Sequence, residues 1–142
     1  MINNKTCLIL LVISGLIACD NGTEPTPVNE TNWTEIVGST DWRVDEATTT
    51  KDGQSENVQN VQVSFSSDGQ YTLLIPGIGS FGSNGTWSVN DQGTQITFND
   101  GNQEIIAQST ITEDGSQMTL NFQIDNFKSQ PISYTIVVIR NS

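Results

Sequence analysis

The side chains best suited to chemistry in this 142-residue chain are its carboxylates. Sixteen aspartates and glutamates stand against five lysines and arginines, a formal net charge of -11, and there is no histidine. Two carboxylates flanking a glycosidic bond can hydrolyse it, so the placement of the aspartates decides whether that chemistry is on offer. Asp52, Asp68, Asp100 and Asp114 each precede a glycine, and Asp91 lies within "NDQG". At such positions a short acceptor side chain folds back on its own backbone and closes a tight turn. Asp45 and Glu46 are adjacent, so an extended strand sends them to opposite faces. No D-x-D-x-D-G loop for calcium is present. Without histidine, the Ser-His-Asp and Cys-His arrangements and the common zinc sites are excluded. The only cysteines, Cys7 and Cys19, lie near the N-terminus, so the remainder can hold neither a disulfide nor a CxxC site. The chain is therefore expected not to be an enzyme and to carry no cofactor and no metal. Its acidic surface repels nucleic acid.

Binding is the better prospect, and the aromatic residues carry it. Tyr71 and Trp87 fall on apolar faces of alternating segments. The segment "IPGIGSFGSNG", residues 75–85, holds Ile78 and Phe81 among four glycines and a proline. Apolar side chains on a flexible loop serve as a lid or a contact surface, or else tuck into the fold. Ile78, Phe81, Tyr71 and Trp87 are the ligand or rim candidates.

The N-terminal segment says where such a binder would work. Lys5 precedes the apolar run "CLILLVISGLIA", residues 7–18, which is 12 residues long, while a bilayer span takes about 20. The run suits the hydrophobic core of a signal peptide. It ends in "LIAC", residues 16–19, which resembles the lipobox of bacterial lipoproteins. That resemblance implies acylation of the Cys19 thiol, cleavage before Cys19, and stable anchoring by several acyl chains. Residues 1–18 are then a lipoprotein signal peptide, and 19–32, with "TEPTP" at its centre, a lipidated flexible tether. Removing residues 1–18 takes away Lys5 alone among the charges, which leaves four basic and sixteen acidic groups. The expected location is the cell envelope, lipid-anchored, at the Gram-negative outer membrane, with the leaflet open.

Residues 33–142 must then supply the binding domain. "TNWTEIVG", residues 31–38, predicts a short helical turn with Asn32 as its cap and Gly38 as its stop. Beyond it, period-2 alternation dominates. Val61, Val63 and Phe65 share one face, as do Tyr71, Leu73 and Ile75, then Ile96 and Phe98, then Met118, Leu120, Phe122 and Ile124. Asp68-Gly69, Asp100-Gly101 and Asp114-Gly115 are hairpin pairs. With a first strand at Trp42–Thr49 and a last at "ISYTIVVIR", eight strands are expected, with residues 50–57 and 76–84 as the longer links. Short hairpins pair neighbours antiparallel, and rolling the sheet shut buries one face and removes its edges. The expected fold is all-β, an eight-stranded antiparallel up-and-down barrel, with a β-sandwich as the alternative.

"SFSSDGQYTL" (64–73), "SNGTWSVNDQGTQITF" (83–98) and "MTLNF" (118–122) resemble the lipocalin-like domains of bacterial lipoproteins. The resemblance runs from about Gly38 to Arg140. It implies a barrel that binds a small hydrophobic ligand, with a floor closed by a tryptophan and a late arginine. Trp42 and Arg140 are the floor candidates here, because antiparallel closure brings the start of the first strand to the end of the last. The alternative function is a non-catalytic surface or periplasmic module that contacts an envelope protein or glycan through its rim loops.

Overall fold

The alternating segments become strands, and the dipeptides between them become turns. In the computed structural model, which describes residues 30–78, 81–125 and 130–141, one short helix precedes nine strands. These are α1 (Trp33–Ser39), β1 (Trp42–Lys51), β2 (Gln54–Asn57), β3 (Gln62–Phe65), β4 (Gln70–Leu74), β5 (Asn84–Val89), β6 (Gln95–Asn99), β7 (Glu104–Ile111), β8 (Gln117–Ile124) and β9 (Ile132–Arg140). All belong to one antiparallel sheet, in the order β2-β1-β9-β8-β7-β6-β5-β4-β3. The sheet curls into a half-barrel around its apolar face, a barrel-like all-β architecture and not a two-sheet sandwich. Cys19, residues 1–18 and most of the tether lie outside the described residues.

Nine strands form where eight were expected, and the addition is β2. It arises in the stretch 50–57 assigned to a link, because Gln54, Ser55, Glu56 and Asn57 are all exposed and show no alternation. What makes it a strand is its ladder with β1, from Thr48↔Asn57 to Lys51↔Gln54. The turn joining them is Asp52-Gly53, with φ of 50° and 78°, the doubly left-handed conformation of the tightest hairpins. Val58 continues the ladder by donating its N–H to the Ala47 carbonyl at 2.8 Å. β2 and β3 run in the same direction, β2 beside the upper half of β1 and β3 beside β4. The register of β1 on β9 shifts between Val44 and Glu46. This bulge leaves both Asp45 and Glu46 exposed, so the expectation that they face opposite sides is corrected: the extra residue breaks the alternation.

The core is the concave face. Ile96, Phe98, Ala107, Met118, Leu120, Ile136 and Val138 are wholly buried. Its rings form a connected series. Phe98 lies 5.8 Å from Phe65, 5.0 Å from Tyr71 and 6.3 Å from Phe122. Trp87 adds an edge-on contact to Phe65 at 5.2 Å, and Tyr134 stacks on Phe122 at 5.6 Å.

Helix α1 packs at one end of the curl. Asn32 caps it, its side chain accepting from the Glu35 N–H at 3.1 Å. The helix runs through Gly38 to Ser39, so Gly38 does not stop it. Gly38 is instead needed for close approach: a Cβ there would sit 3.0 Å from the Trp87 ring and 3.2 Å from the Ser66 carbonyl. Val37 of the helix is fully buried.

Candidate functional site

Antiparallel order sorts the connections onto two ends. Helix α1 and the β3–β4, β5–β6 and β7–β8 turns share one end. The β1–β2 turn, the β4–β5 connection, the β6–β7 turn and the β8–β9 connection share the other.

The floor candidates lie at the helix end. Trp42 and Arg140 are direct cross-strand partners. The Trp42 indole N–H donates to the Val37 carbonyl at 2.9 Å and so ties β1 to α1. The Arg140 guanidinium donates to the Gly115 carbonyl at 3.2 Å and ties β9 to the β7–β8 turn. Trp87 is also committed here, its indole N–H donating to the Ser66 carbonyl at 3.1 Å.

The carboxylates of the glycine turns hold backbone. Asp114 Oδ1 accepts from the Thr112 hydroxyl at 2.7 Å and from the Ser116 N–H and hydroxyl at 3.0 and 2.7 Å. Those donors stabilise the anion and lower its pKa to about 2. Asp100 accepts from the N–H groups of Gly82, Asn102 and Gln103, which also lower its pKa. The Ser66 hydroxyl does the same for Asp68. Acceptors so engaged are poorly placed to trade protons with a substrate. Among the described residues, no three His, Cys, Asp or Glu side chains are grouped to hold a metal.

At the opposite end, the β4–β5 connection folds onto the core. Phe81 stacks on Tyr71 at 6.1 Å with a 14° interplanar angle, and Ile78 packs against the same cluster. Between them and Leu73, Leu74, Ile75 and Ser83 remains a cleft of only about 40 Å³. Tyr71 is buried; its hydroxyl donates to the Gly82 carbonyl at 3.2 Å, and burial, with the Asp100 charge, raises its pKa to about 12. Tyr71 is therefore a support beneath the loop.

Two larger clefts border the β1–β2 hairpin. One, about 240 Å³, lies along the bulge of β1 and residues 57–61. The other, about 300 Å³ and half-open, is lined by Thr49, Lys51, Asp52, Gln54, Glu56, Ile132 and Tyr134. The register places Lys51 opposite Gln54 and Thr49 opposite both Glu56 and Tyr134, so these side chains share the concave face. Tyr134 forms the back wall, buried and stacked on Phe122. Burial raises the pKa of its hydroxyl and Thr49 hydrogen-bonds to it. Ile78, Phe81, Tyr71 and Trp87 are not part of this cleft. The sequence offered one pointer to it, the Asp52-Gly53 dipeptide between two polar runs. No family model, no curated protein and no solved structure matches this chain.

Proposed function

We propose that the chain is a non-catalytic binding module of the cell envelope, anchored by lipid on Cys19, that engages an envelope protein or glycan through the rim opposite α1. The observation that carries this reading is the half-open cleft of about 300 Å³ on the concave side of the β1–β2 hairpin. Its lining sets five polar side chains, Thr49, Lys51, Asp52, Gln54 and Glu56, in front of Ile132 and Tyr134. The described interior supports the rim over the alternative, a small hydrophobic ligand inside the barrel, because Phe98, Met118, Leu120 and Ile136 already occupy that space. β2 and β3 are two halves of one strand broken at residues 58–61, one half pairing β1 and the other β4. Counted so, the domain is read as an eight-stranded, lipocalin-like up-and-down barrel, and the lipobox-like "LIAC" supports a lipid-anchored location at the Gram-negative outer membrane.

The test is made in the cell envelope with the full chain. A photoreactive residue at Gln54 should yield discrete crosslinked products, and one at Asp91 on the helix end should not. Fatty-acid labelling should mark the wild type and miss Cys19→Ser. Equal labelling of both proteins ends the lipid-anchor reading, and equal crosslinking from both sites ends the rim reading.

A further inference from the structure

We infer that the cleft inside the β1–β2 hairpin is a saccharide site, shaped for an uncharged sugar ring. The inference rests on the rim reading above and names its ligand. Among the described residues, the side chains of Lys51, Asp52, Gln54 and Glu56 make no hydrogen bond or ion pair with one another or with any neighbour. The other face of the same hairpin behaves differently: Thr50 and Ser55 are bonded hydroxyl to hydroxyl at 2.8 Å. On that face the two hydroxyls pair with each other, whereas on the concave face Lys51, Asp52, Gln54 and Glu56 keep their hydrogen-bonding capacity for something else.

That capacity has a definite composition. Lys51 is purely a donor, Asp52 and Glu56 are purely acceptors, and Gln54 is both, while the Thr49 hydroxyl already donates to the Ser133 carbonyl at 3.4 Å. A ligand that satisfies all of them must donate and accept at several closely spaced points. Sugar hydroxyls do this, each being donor and acceptor at once. An apolar ligand would strip water from these groups and leave them unpaired, which costs free energy for each. An anion would meet two carboxylates and a chain of net charge -11. Ile132 and Tyr134 at the back offer apolar surface to the C–H face of a ring. The cleft, at about 300 Å³, lies at the small end of the range that ligand sites occupy, about 300–1,000 Å³, which suits one ring or two.

The full chain in detergent micelles would be titrated by ligand-observed NMR with glucose, N-acetylglucosamine and their β-1,4-linked disaccharides. Glycerophosphocholine, a zwitterion, would serve as the competing chemistry. At least one saccharide should bind, and Gln54→Ala with Glu56→Ala should weaken it by about tenfold or more. Because all of β2 is exposed, the double variant should melt with the wild type, so lost binding is not lost folding. Absence of saccharide binding, binding unaltered in the double variant, or preference for glycerophosphocholine each overturns the inference. If saccharides fail while crosslinking from Gln54 persists, the rim reading stands and the ligand is not a sugar. If both fail, both readings fall.

Discussion

The helix end of the half-barrel and its β1–β2 hairpin spend their polar groups differently. At the helix end, long side chains reach backbone carbonyls: Trp42 to Val37, Trp87 to Ser66, Arg140 to Gly115. Each bond joins two elements and fixes their spacing. At the hairpin end, Lys51, Asp52, Gln54 and Glu56 surround a cleft and, among the described residues, join nothing. Buried polar groups must be paired or the fold pays for them, whereas solvated ones are free to serve a ligand. The contrast assigns structure to the helix end and recognition to the β1–β2 hairpin, and it can be broken at either.

The largest effect is expected from Trp87→Ala. The ring is buried, meets Phe65 edge-on, and lies beneath Gly38 of α1. Its loss should cost about 3–5 kcal/mol in denaturant unfolding, as aromatic truncation in a core does. A cost under about 1 kcal/mol would mean that the helix end is not the structural end.

A smaller loss is expected from Phe81→Ala at the opposite end. Phe81 is half-buried and covers Tyr71 from a loop. About 1–2 kcal/mol is expected, part of it the ring stack itself. This revises the simplest view of residues 75–85 as a free lid, since trimming the loop removes that cover as well. Unchanged stability in the same unfolding assay would restore the lid and leave the hairpin cleft with a movable neighbour.

Most of the sheet was legible because burial wrote it into the residues. β4, β6 and β8 alternate cleanly, each with inward apolar side chains, and Asp-Gly pairs mark four of the joints. β2 escaped for the converse reason: neither of its faces is buried, so alternation had nothing to record, and only pairing with β1 makes it a strand. The bulge at Asp45 and the close approach at Gly38 are likewise tertiary facts. The candidate cleft was hidden most deeply. Thr49 and Tyr134 are adjacent only because the first and last strands pair, and no local pattern announces a contact between residues so distant in the chain.

The smallest effect tests the helix end through its charge. Gly115 there packs under Ile36 of α1 and the Arg140 guanidinium, and the turn that presents it is held by Asp114. Thr112 and Ser116 hold the Asp114 pKa at about 2, below its ordinary 3.8. A depressed carboxylate pKa means that the unfolded chain takes up the proton first, so ionised Asp114 favours the folded state above the ordinary value. That contribution should fade as pH falls from 3.8 towards about 2 and be gone below it. Asp114→Asn keeps an acceptor oxygen but no charge, so the wild type should melt slightly higher near neutrality and lose that lead in acid. The carboxylate is solvent-exposed, and screening keeps the difference small. Melting curves of the two proteins across this range decide the matter. A lead that persists undiminished below pH 2 would mean that the turn depends on the shape of the side chain and not on its charge, and the helix end would then owe its order to packing and neutral hydrogen bonds alone.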